Sequence, residues 1–383
     1  MRGDLVTTTE AGLWCEAGGF HIDPWRPVDR AVVTHAHADH TRPGSGRYLT
    51  AASGVELVRL RTHADAVVDG LEYGERLRIG GVEVSFHPAG HILGSAQIRI
   101  ERAGEVWVVG GDYKTGSDPT CAAFEAVPCD VFISESTFGL PVFQWPDPED
   151  VARDVRTWWE GNAASGRTSL LCAYALGKSQ RLLAALNDAP GPIAVHGALD
   201  KLLGPYRDQG IELPPTRYAS VDVAKEIRGH GLVIAPPSAN GTPWMRKFGD
   251  VSTAFASGWM TLRGPRRRRG FDQGFTVSDH ADWRGLLGAI EATGATRVLV
   301  THGYVDPLVR YLSEERGLHA EPLASRFEGE GEGDGADEVK VPGSDAAAAA
   351  AAAVSGEVGG TAEDDPMEDA AADLIEDPAE GPA

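Results

Sequence analysis

The segment Thr34-His35-Ala36-His37-Ala38-Asp39-His40 constrains the fold of this chain more than any other. It follows directly on the apolar residues Ala31-Val32-Val33, so it stands at the end of a predicted strand. Three imidazoles and a carboxylate this close together cannot all be satisfied in a hydrophobic core. They are the nitrogen and oxygen ligands that Zn²⁺ prefers, and the spacing therefore predicts a metal site. His35 and His37 can share one ion, while Asp39 and His40 turn toward a second.

Three more polar residues lie near predicted strand ends, at His91, Asp112 and His302. Each alone is typical of a satisfied polar group. In this order after the first segment, they resemble the ligand pattern of the metallo-β-lactamase superfamily. The resemblance implies that His91 and His302 complete two sites, that Asp112 bridges both ions, and that Asp23 orients a ligand from behind. The predicted ligands are His35, His37, Asp39, His40, His91, Asp112 and His302.

About 190 residues separate Asp112 from His302, far more than a minimal hydrolase of this fold needs. Within them lie Ser134-Glu135-Ser136-Thr137-Phe138-Gly139 and Ser278-Asp279-His280-Ala281-Asp282. These two segments resemble the acidic and histidine motifs of the β-CASP nucleases. The resemblance implies catalytic roles for His280, Glu135 and Asp112, in which Glu135 orients His280 and His280 donates a proton to the leaving oxygen or holds the scissile phosphate.

Residues 5–327 resemble one prokaryotic group of that family, the ligase-associated DNA exonucleases. The matching segments are Glu10 to Cys15, Ile22 to Pro27, Glu135 to Pro141, Tyr174 to Lys178, Ser257 to Met260 and Ser278 to Trp283. A histidine at the position of His302 goes mainly with RNA-cutting members of the family. The match to the ligase-associated group is closer than this general rule, so the resemblance favours DNA over RNA as substrate, with RNA left open.

Five arginines lie within seven positions, shortly before the histidine motif. They are Arg263, Arg266, Arg267, Arg268 and Arg269. Guanidinium groups bind phosphate bidentately, so this segment and Lys178, at a predicted helix start, are the candidate phosphate-binding residues. A solvated basic loop is the alternative interpretation of the arginines. The absence of a glycine at Cys172 excludes a P-loop around Gly177-Lys178-Ser179.

The order of predicted elements indicates a nested architecture. Two β-hairpins are predicted, from Arg76 to His87 around Gly80-Gly81 and from Gln97 to Val109 around Ala103-Gly104. From Pro148 onward, helices and strands alternate as in a parallel sheet. We expect an α/β fold, a metallo-β-lactamase αββα sandwich with an inserted α/β β-CASP domain. The predicted boundaries are 1–147 and 263–327 for the two parts of the sandwich, 148–262 for the insert, and 328–383 for a tail.

The net charge of −21 is concentrated in that tail. From Glu328 to Ala383 there are 17 acidic residues and one basic residue, Lys340, and no aromatic residue. Such a composition predicts a disordered acidic tail. The four cysteines form no close pair, and neither a secretory signal nor an apolar run of about 20 residues is present. We expect a cytoplasmic protein with reduced thiols and no membrane partner.

The expected function is a two-Zn²⁺ nuclease, with Mn²⁺ as the alternative metal. Its expected partner is nucleic acid, and the resemblance implies a DNA exonuclease in DNA repair that is functionally associated with a DNA ligase. The alternatives are an RNA 3′-end processing ribonuclease of the same family and, less favoured, a small-ester or thioester hydrolase of the same fold.

Overall fold

The computed structural model describes residues 3–262 and 270–324. The arginine segment and the predicted acidic tail, 328–383, lie outside the described residues, so both remain predictions from sequence. The described residues fall within one unit, Met1–Val339, and they form three β-sheets with helices between and around them.

The first sheet has six strands in chain order. They are β1 (Thr7–Thr9), β2 (Gly12–Cys15), β3 (Phe20–Ile22), β4 (Ala31–Val32), β5 (Tyr48–Ala51) and β6 (Val68–Leu71). The second sheet has the spatial order β19-β18-β11-β10-β9-β8-β7. Its strands are β7 (Arg76–Ile79), β8 (Val82–Pro88), β9 (Ala96–Arg102), β10 (Glu105–Val109), β11 (Val131–Ser136), β18 (Arg297–Gly303) and β19 (His319–Pro322). Both predicted hairpins are confirmed, because β7 pairs antiparallel with β8 and β9 with β10.

The third sheet has the order β14-β13-β15-β12-β16-β17, and all its pairings are parallel. Its strands are β12 (Thr168–Cys172), β13 (Ile193–Val195), β14 (Thr216–Tyr218), β15 (Leu232–Ala235), β16 (Val251–Ala256) and β17 (Gln273–Phe275). The parallel sheet is the one that the alternating helices and strands predict. Strand β17 lies beyond the predicted boundary at residue 262, because it pairs with β16 and so extends this sheet.

The helices cover the outer faces of the sheets. They are α1 (Val55–Arg61), α2 (Pro148–Ala164), α3 (Lys178–Ala184), α4 (Gly197–Asp208), α5 (Val221–Ile227), α6 (Trp283–Thr293) and α7 (Val305–Glu314). Short 3₁₀ turns lie at Ala52–Gly54, Pro237–Ala239, Pro243–Phe248 and Gly258–Thr261. Within the described part of the chain, no helix combines the length and apolarity that a bilayer crossing needs.

Hydrophobic layers confirm the sandwich. Between the first and second sheets, alternate residues of facing strands, such as Phe20 and Ile22 against Phe86 and Ile98, form one core. Leu286 of α6, with its neighbours on α6 and α7, packs on the other face of the second sheet. Helix α1 packs on the outer face of the first sheet. These layers give the αββα arrangement, and separate cores cover the two faces of the third sheet.

Candidate metal centre and catalytic site

The ligand-bearing segment begins where strand β4 ends. The strand predicted over Ala31-Val32-Val33 is one residue shorter in the structure, Ala31–Val32, and the backbone N–H of Thr34 donates to Asp23 Oδ1 at 2.8 Å. The Thr34 hydroxyl donates to Asp23 Oδ2 at 2.6 Å. Asp23 itself has φ +44°, a conformation that costs about 1–3 kcal/mol outside glycine. The local backbone is therefore shaped to hold this carboxylate behind the histidines.

Three histidines direct one ring nitrogen each toward a common point. His35 Nε2 and His91 Nε2 each lie 3.1 Å from His37 Nδ1. The remaining ring nitrogens are held from behind. His91 Nδ1 donates to the backbone oxygen of Asp279 at 2.8 Å, and His37 Nε2 donates to that of Leu176 at 3.2 Å. His35 Nδ1 lies 3.0 Å from the Thr34 hydroxyl, whose proton is committed to Asp23.

These contacts assign the tautomers. A carbonyl oxygen only accepts, so the protons of His37 and His91 lie on the nitrogens that face away from the common point. The three converging nitrogens are then lone-pair acceptors and cannot hydrogen-bond to one another. Burial lowers the pKa of His35 and His91 well below the usual histidine value, which keeps both rings neutral. A cation fits at the point where the three ring nitrogens converge.

Asp112 lies beside this cluster and beside a second one. Its Oδ2 is 3.5 Å from His35 Nε2 and 3.4 Å from His40 Nε2. Its Oδ1 is buried and accepts no hydrogen bond from the described residues. Burial opposes ionisation of Asp112, but His40 and His280 hold its pKa well below the usual range. A buried, ionised carboxylate with one oxygen unsatisfied fits a ligand shared between two ions.

The second cluster contains His40, Asp112 and His302. The rings of His40 and His302 stack with centroids 5.3 Å apart. His40 Nδ1 lies 2.7 Å from Asp23 Oδ2, and His40 Nε2 is 3.6 Å from Asp39 Oδ2. Burial would lower the pKa of His40, but Asp112, Asp39 and Asp23 together raise it well above the usual value. The three carboxylates therefore favour a positive charge at the position of the His40 ring.

A β-bulge carries His302 into this cluster. Strands β11 and β18 pair in register up to Glu135 and Thr301, and Ser136 then pairs with Gly303, so His302 is the extra residue. Its φ is +58°, which is rare outside glycine. The Ser136 hydroxyl donates to the His302 backbone oxygen and holds the bulge. Burial lowers the pKa of His302 to about 4.

Gly111 permits the approach of Asp112. It has φ +58°, and a Cβ atom there would lie 2.7 Å from the Thr34 side chain. Only glycine allows the turn after β10 to run this close to the ligand-bearing segment.

His280 and Glu135 form a further group with Asp112. His280 Nδ1 is 2.8 Å from Glu135 Oε2, and His280 Nε2 is 4.0 Å from Asp112 Oδ2. Glu135 also accepts from the backbone N–H of Tyr113 at 2.7 Å. Burial raises the pKa of Glu135, while the charge of His280 acts against that rise. The predicted pair thus presents one imidazole nitrogen to the candidate metal centre.

Lys178, which the sequence predicts to bind phosphate, is buried in an ion pair. Its side chain is 0% exposed, and its Nζ lies 3.3 Å from Asp279 Oδ1 and 4.6 Å from the Tyr174 ring centroid. A buried ammonium in an ion pair is not presented to a substrate, so the expected role is corrected. The helix start that suggested an exposed position is covered by the Asp279 segment. The other predicted phosphate ligands, Arg263 and Arg266 to Arg269, lie outside the described residues.

Sequence reasoning missed the groups that hold the histidines from behind. Thr34 could have been found, because it stands directly before His35. The backbone oxygens of Leu176 and Asp279 carry no such signal, since every residue has one. The Thr41 hydroxyl, which donates to the His35 backbone oxygen at 2.7 Å, was also missed.

Comparison with known proteins gives several relatives. The chain is 34% identical over 312 residues to the "Probable DNA ligase" of Opitutus terrae, covering 81% of this chain and 30% of that protein. It is 27% identical over 186 residues to the "RNase J-like protein" of Methanocaldococcus jannaschii, covering 43% and 44%. It is 28% identical over 202 residues to "Cleavage and polyadenylation specificity factor 73" of Drosophila melanogaster, covering 48% and 29%. The chain thus spans less than half of each of these relatives.

No family model matches the chain. A solved structure, that of a protein of unknown function from Enterococcus faecalis V583, superposes with a TM-score of 0.53 at 14% identity, covering 78% of this chain and 80% of that one. This likeness concerns the fold alone.

The sandwich of two sheets, with clustered histidines and aspartates that could hold metal ions, defines a protein of the metallo-β-lactamase fold. The third, parallel sheet and the relatives above indicate which group of proteins with this fold the chain resembles. The chain is similar to β-CASP nucleases of this fold, the group to which the RNase J-like and the cleavage and polyadenylation relatives belong.

Proposed function

We propose that this protein is a two-zinc nuclease that hydrolyses nucleic-acid phosphodiesters, with a DNA exonuclease acting in repair as the favoured form. The observation that carries the proposal is the position of His280. Its Nδ1 is held by Glu135 at 2.8 Å, and its Nε2 lies 4.0 Å from Asp112, the carboxylate common to both ligand clusters. A metal centre with a positioned imidazole beside it is suited to phosphoryl transfer.

The ligand sets proposed are those of the sequence pattern. His35, His37 and His91 hold one ion, Asp39, His40 and His302 hold the other, and Asp112 belongs to both. When bound, two divalent ions supply an activated water and neutralise the charge that develops on the phosphoryl oxygens. Zinc suits the mixture of imidazole and carboxylate donors, and Mn²⁺ is the alternative. Asp23 orients His40 through the 2.7 Å contact with its Nδ1.

His280 serves in this proposal as the proton donor to the leaving oxygen. Because the Glu135 carboxylate accepts from Nδ1, a cationic His280 carries its second proton on Nε2, the nitrogen that faces Asp112. Glu135 is buried, so its charge acts on the imidazole through little intervening water, and it stabilises the cationic form. The pair supplies an acid at a stated atom, which general acid catalysis requires.

A nucleic-acid substrate is supported by the names of the relatives and by the arginine segment. One relative is named as a DNA ligase and others as RNA-processing proteins, so these names support a polymer over a small ester. DNA is favoured because the similarity to the ligase covers 81% of this chain. The same similarity motivates the proposed functional association with a DNA ligase.

The test is digestion of end-labelled single- and double-stranded DNA and RNA in parallel, with metal-free protein and with added Zn²⁺ or Mn²⁺. We expect metal-dependent shortening of DNA from one end. Preferential RNA cleavage would favour the ribonuclease alternative. Hydrolysis of thioesters or lactones without cleavage of either polymer would refute the nuclease proposal.

A further inference from the structure

The Lys178–Asp279 ion pair is buried next to the candidate metal centre, and neither residue belongs to the ligand set. Lys178 is 0% exposed and Asp279 is 2% exposed. Burial would raise the pKa of Asp279, but the charge of Lys178 and, to a smaller extent, His91 hold this pKa far below the usual value. A charged side chain is rarely buried without an oppositely charged partner, because the free-energy cost of its desolvation is then uncompensated. The pair joins two segments that are distant in sequence, at the start of α3 and after β17.

Each of these segments supplies a backbone oxygen to a ligand histidine. Leu176, two residues before Lys178, accepts from His37 Nε2, and Asp279 itself accepts from His91 Nδ1. The Leu176 segment follows β12 and the Asp279 segment follows β17. Both strands pair with β16 in one parallel sheet, so their carboxyl ends lie at the same edge. The third sheet therefore holds two ligand rings from behind, through two separate loops.

Close packing leaves these loops little freedom. Gly177 has φ +85°, and a Cβ atom there would lie 2.3 Å from the Ile92 side chain and 2.9 Å from Asp279 Oδ2. Ile92 is the residue after His91. Ser278, on the other side of Asp279, accepts through its backbone oxygen from Lys114 Nζ at 2.9 Å and from Arg181 Nη1 at 3.1 Å.

We propose that Lys178 is a positioning residue. Through Asp279 it sets the orientation of the His91 ring and the placement of His280, and through the segment that it shares with Leu176 it sets the orientation of the His37 ring. The inference rests on the proposed metal-dependent function. Lys178 contacts Asp279 directly, and Asp279 is covalently followed by His280. Displacement of the Asp279 backbone therefore moves the acceptor of one ligand and the attachment point of the catalytic imidazole together.

The test compares Lys178→Met with Lys178→Arg, which keeps the charge, and with Lys247→Met as a matched control. Lys247 also lies 4.6 Å from a ring centroid, that of Trp244, and donates to the Ala219 backbone oxygen. Zinc affinity is measured by chelator competition, and the Co²⁺-loaded forms are compared by visible absorption. For Lys178→Met we expect a 10–100-fold loss of metal affinity, a changed Co²⁺ spectrum and a lower kcat at little-changed KM. Lys178→Arg should recover part of the affinity, and Lys247→Met should equal wild type.

The double variant Lys178→Met/Asp279→Asn covers the case in which the single variant fails to fold, because it removes both buried charges. It should fold and still show the reduced affinity. If the variant that folds has the same metal affinity, Co²⁺ spectrum and kcat as the wild-type protein, the inference is overturned. It is also overturned if the wild-type protein itself takes up no metal. If wild type binds metal and cuts no nucleic acid, the proposed function fails, while the affinities still decide the role of Lys178.

Discussion

His280 Nδ1 lies 2.8 Å from Glu135 Oε2, although 145 positions separate the two residues in the sequence. Glu135 is on β11, in the second sheet, and His280 follows β17, in the third. The contact therefore exists only when the sandwich and the parallel sheet are both folded and in place. This dependence makes the pair the natural target of a first experiment.

Replacement of His280 by alanine should slow phosphodiester cleavage by roughly 10²–10⁴-fold, the range expected for loss of a general acid. Metal content should stay close to that of wild type, since the four residues His35, His37, His91 and Asp112 form a ligand cluster without His280. Elemental analysis and single-turnover rates measure the two effects. His63→Ala, at an exposed histidine, is the control. A wild-type rate in His280→Ala would remove it from the mechanism.

Asp112→Ala should reduce metal binding at both clusters, because the carboxylate belongs to both. His302→Ala should affect the second cluster alone, so it should retain about one ion per chain when wild type holds about two. Metal-to-protein ratios after gel filtration distinguish the variants. Two tightly bound ions in Asp112→Ala would contradict the shared-ligand assignment.

The stability of the metal-free protein should depend on Lys114 in alkaline solution. Burial, helped by Arg181, lowers the pKa of Lys114 to about 7, below its ordinary value of 10.5. Between these values the unfolded chain binds a proton that the folded chain lacks, so unfolding becomes less favourable as pH rises, by up to about 1.4 kcal/mol per pH unit.

Lys114→Met removes this contribution. Urea unfolding of both proteins with chelator present, at several pH values between about 7 and 10, should show wild type gaining stability relative to the variant. A constant difference across that window would mean that the ammonium group keeps its proton in the folded state.

Replacement of Arg266, Arg267, Arg268 and Arg269 by alanine tests the prediction made from sequence for that segment. Nucleic-acid binding should weaken, and the slope of log affinity against log salt should flatten by about one unit for each phosphate group that the variant no longer binds. Hydrolysis of bis-p-nitrophenyl phosphate should change far less, since this substrate has no flanking phosphates. Unchanged polymer binding across salt concentrations would exclude a role for the arginines in phosphate recognition.

Much of the architecture followed from local pattern. The hairpins around Gly80-Gly81 and Ala103-Gly104 formed as predicted, because alternating strands joined by a glycine turn pair locally. The alternation of helices and strands predicted from Pro148 onward begins with helix Pro148–Ala164, where Asp147 accepts from the Glu149 backbone N–H at the helix start. All the predicted ligands except Asp39 lie in the two clusters, because they stand at or shortly after strand ends on one edge of the sandwich.

The sequence by itself thus determined which side chains could meet and in which kind of fold. Only the tertiary structure decided how they are held: the bulge that turns His302, the backbone oxygens of Leu176 and Asp279 behind two histidines, and the burial of Lys178. Side-chain chemistry and hydrophobic periodicity can be recognised within short segments of the sequence. A backbone carbonyl has no residue identity, and the exposure of a lysine depends on segments about 100 residues away, so neither can be predicted from local pattern.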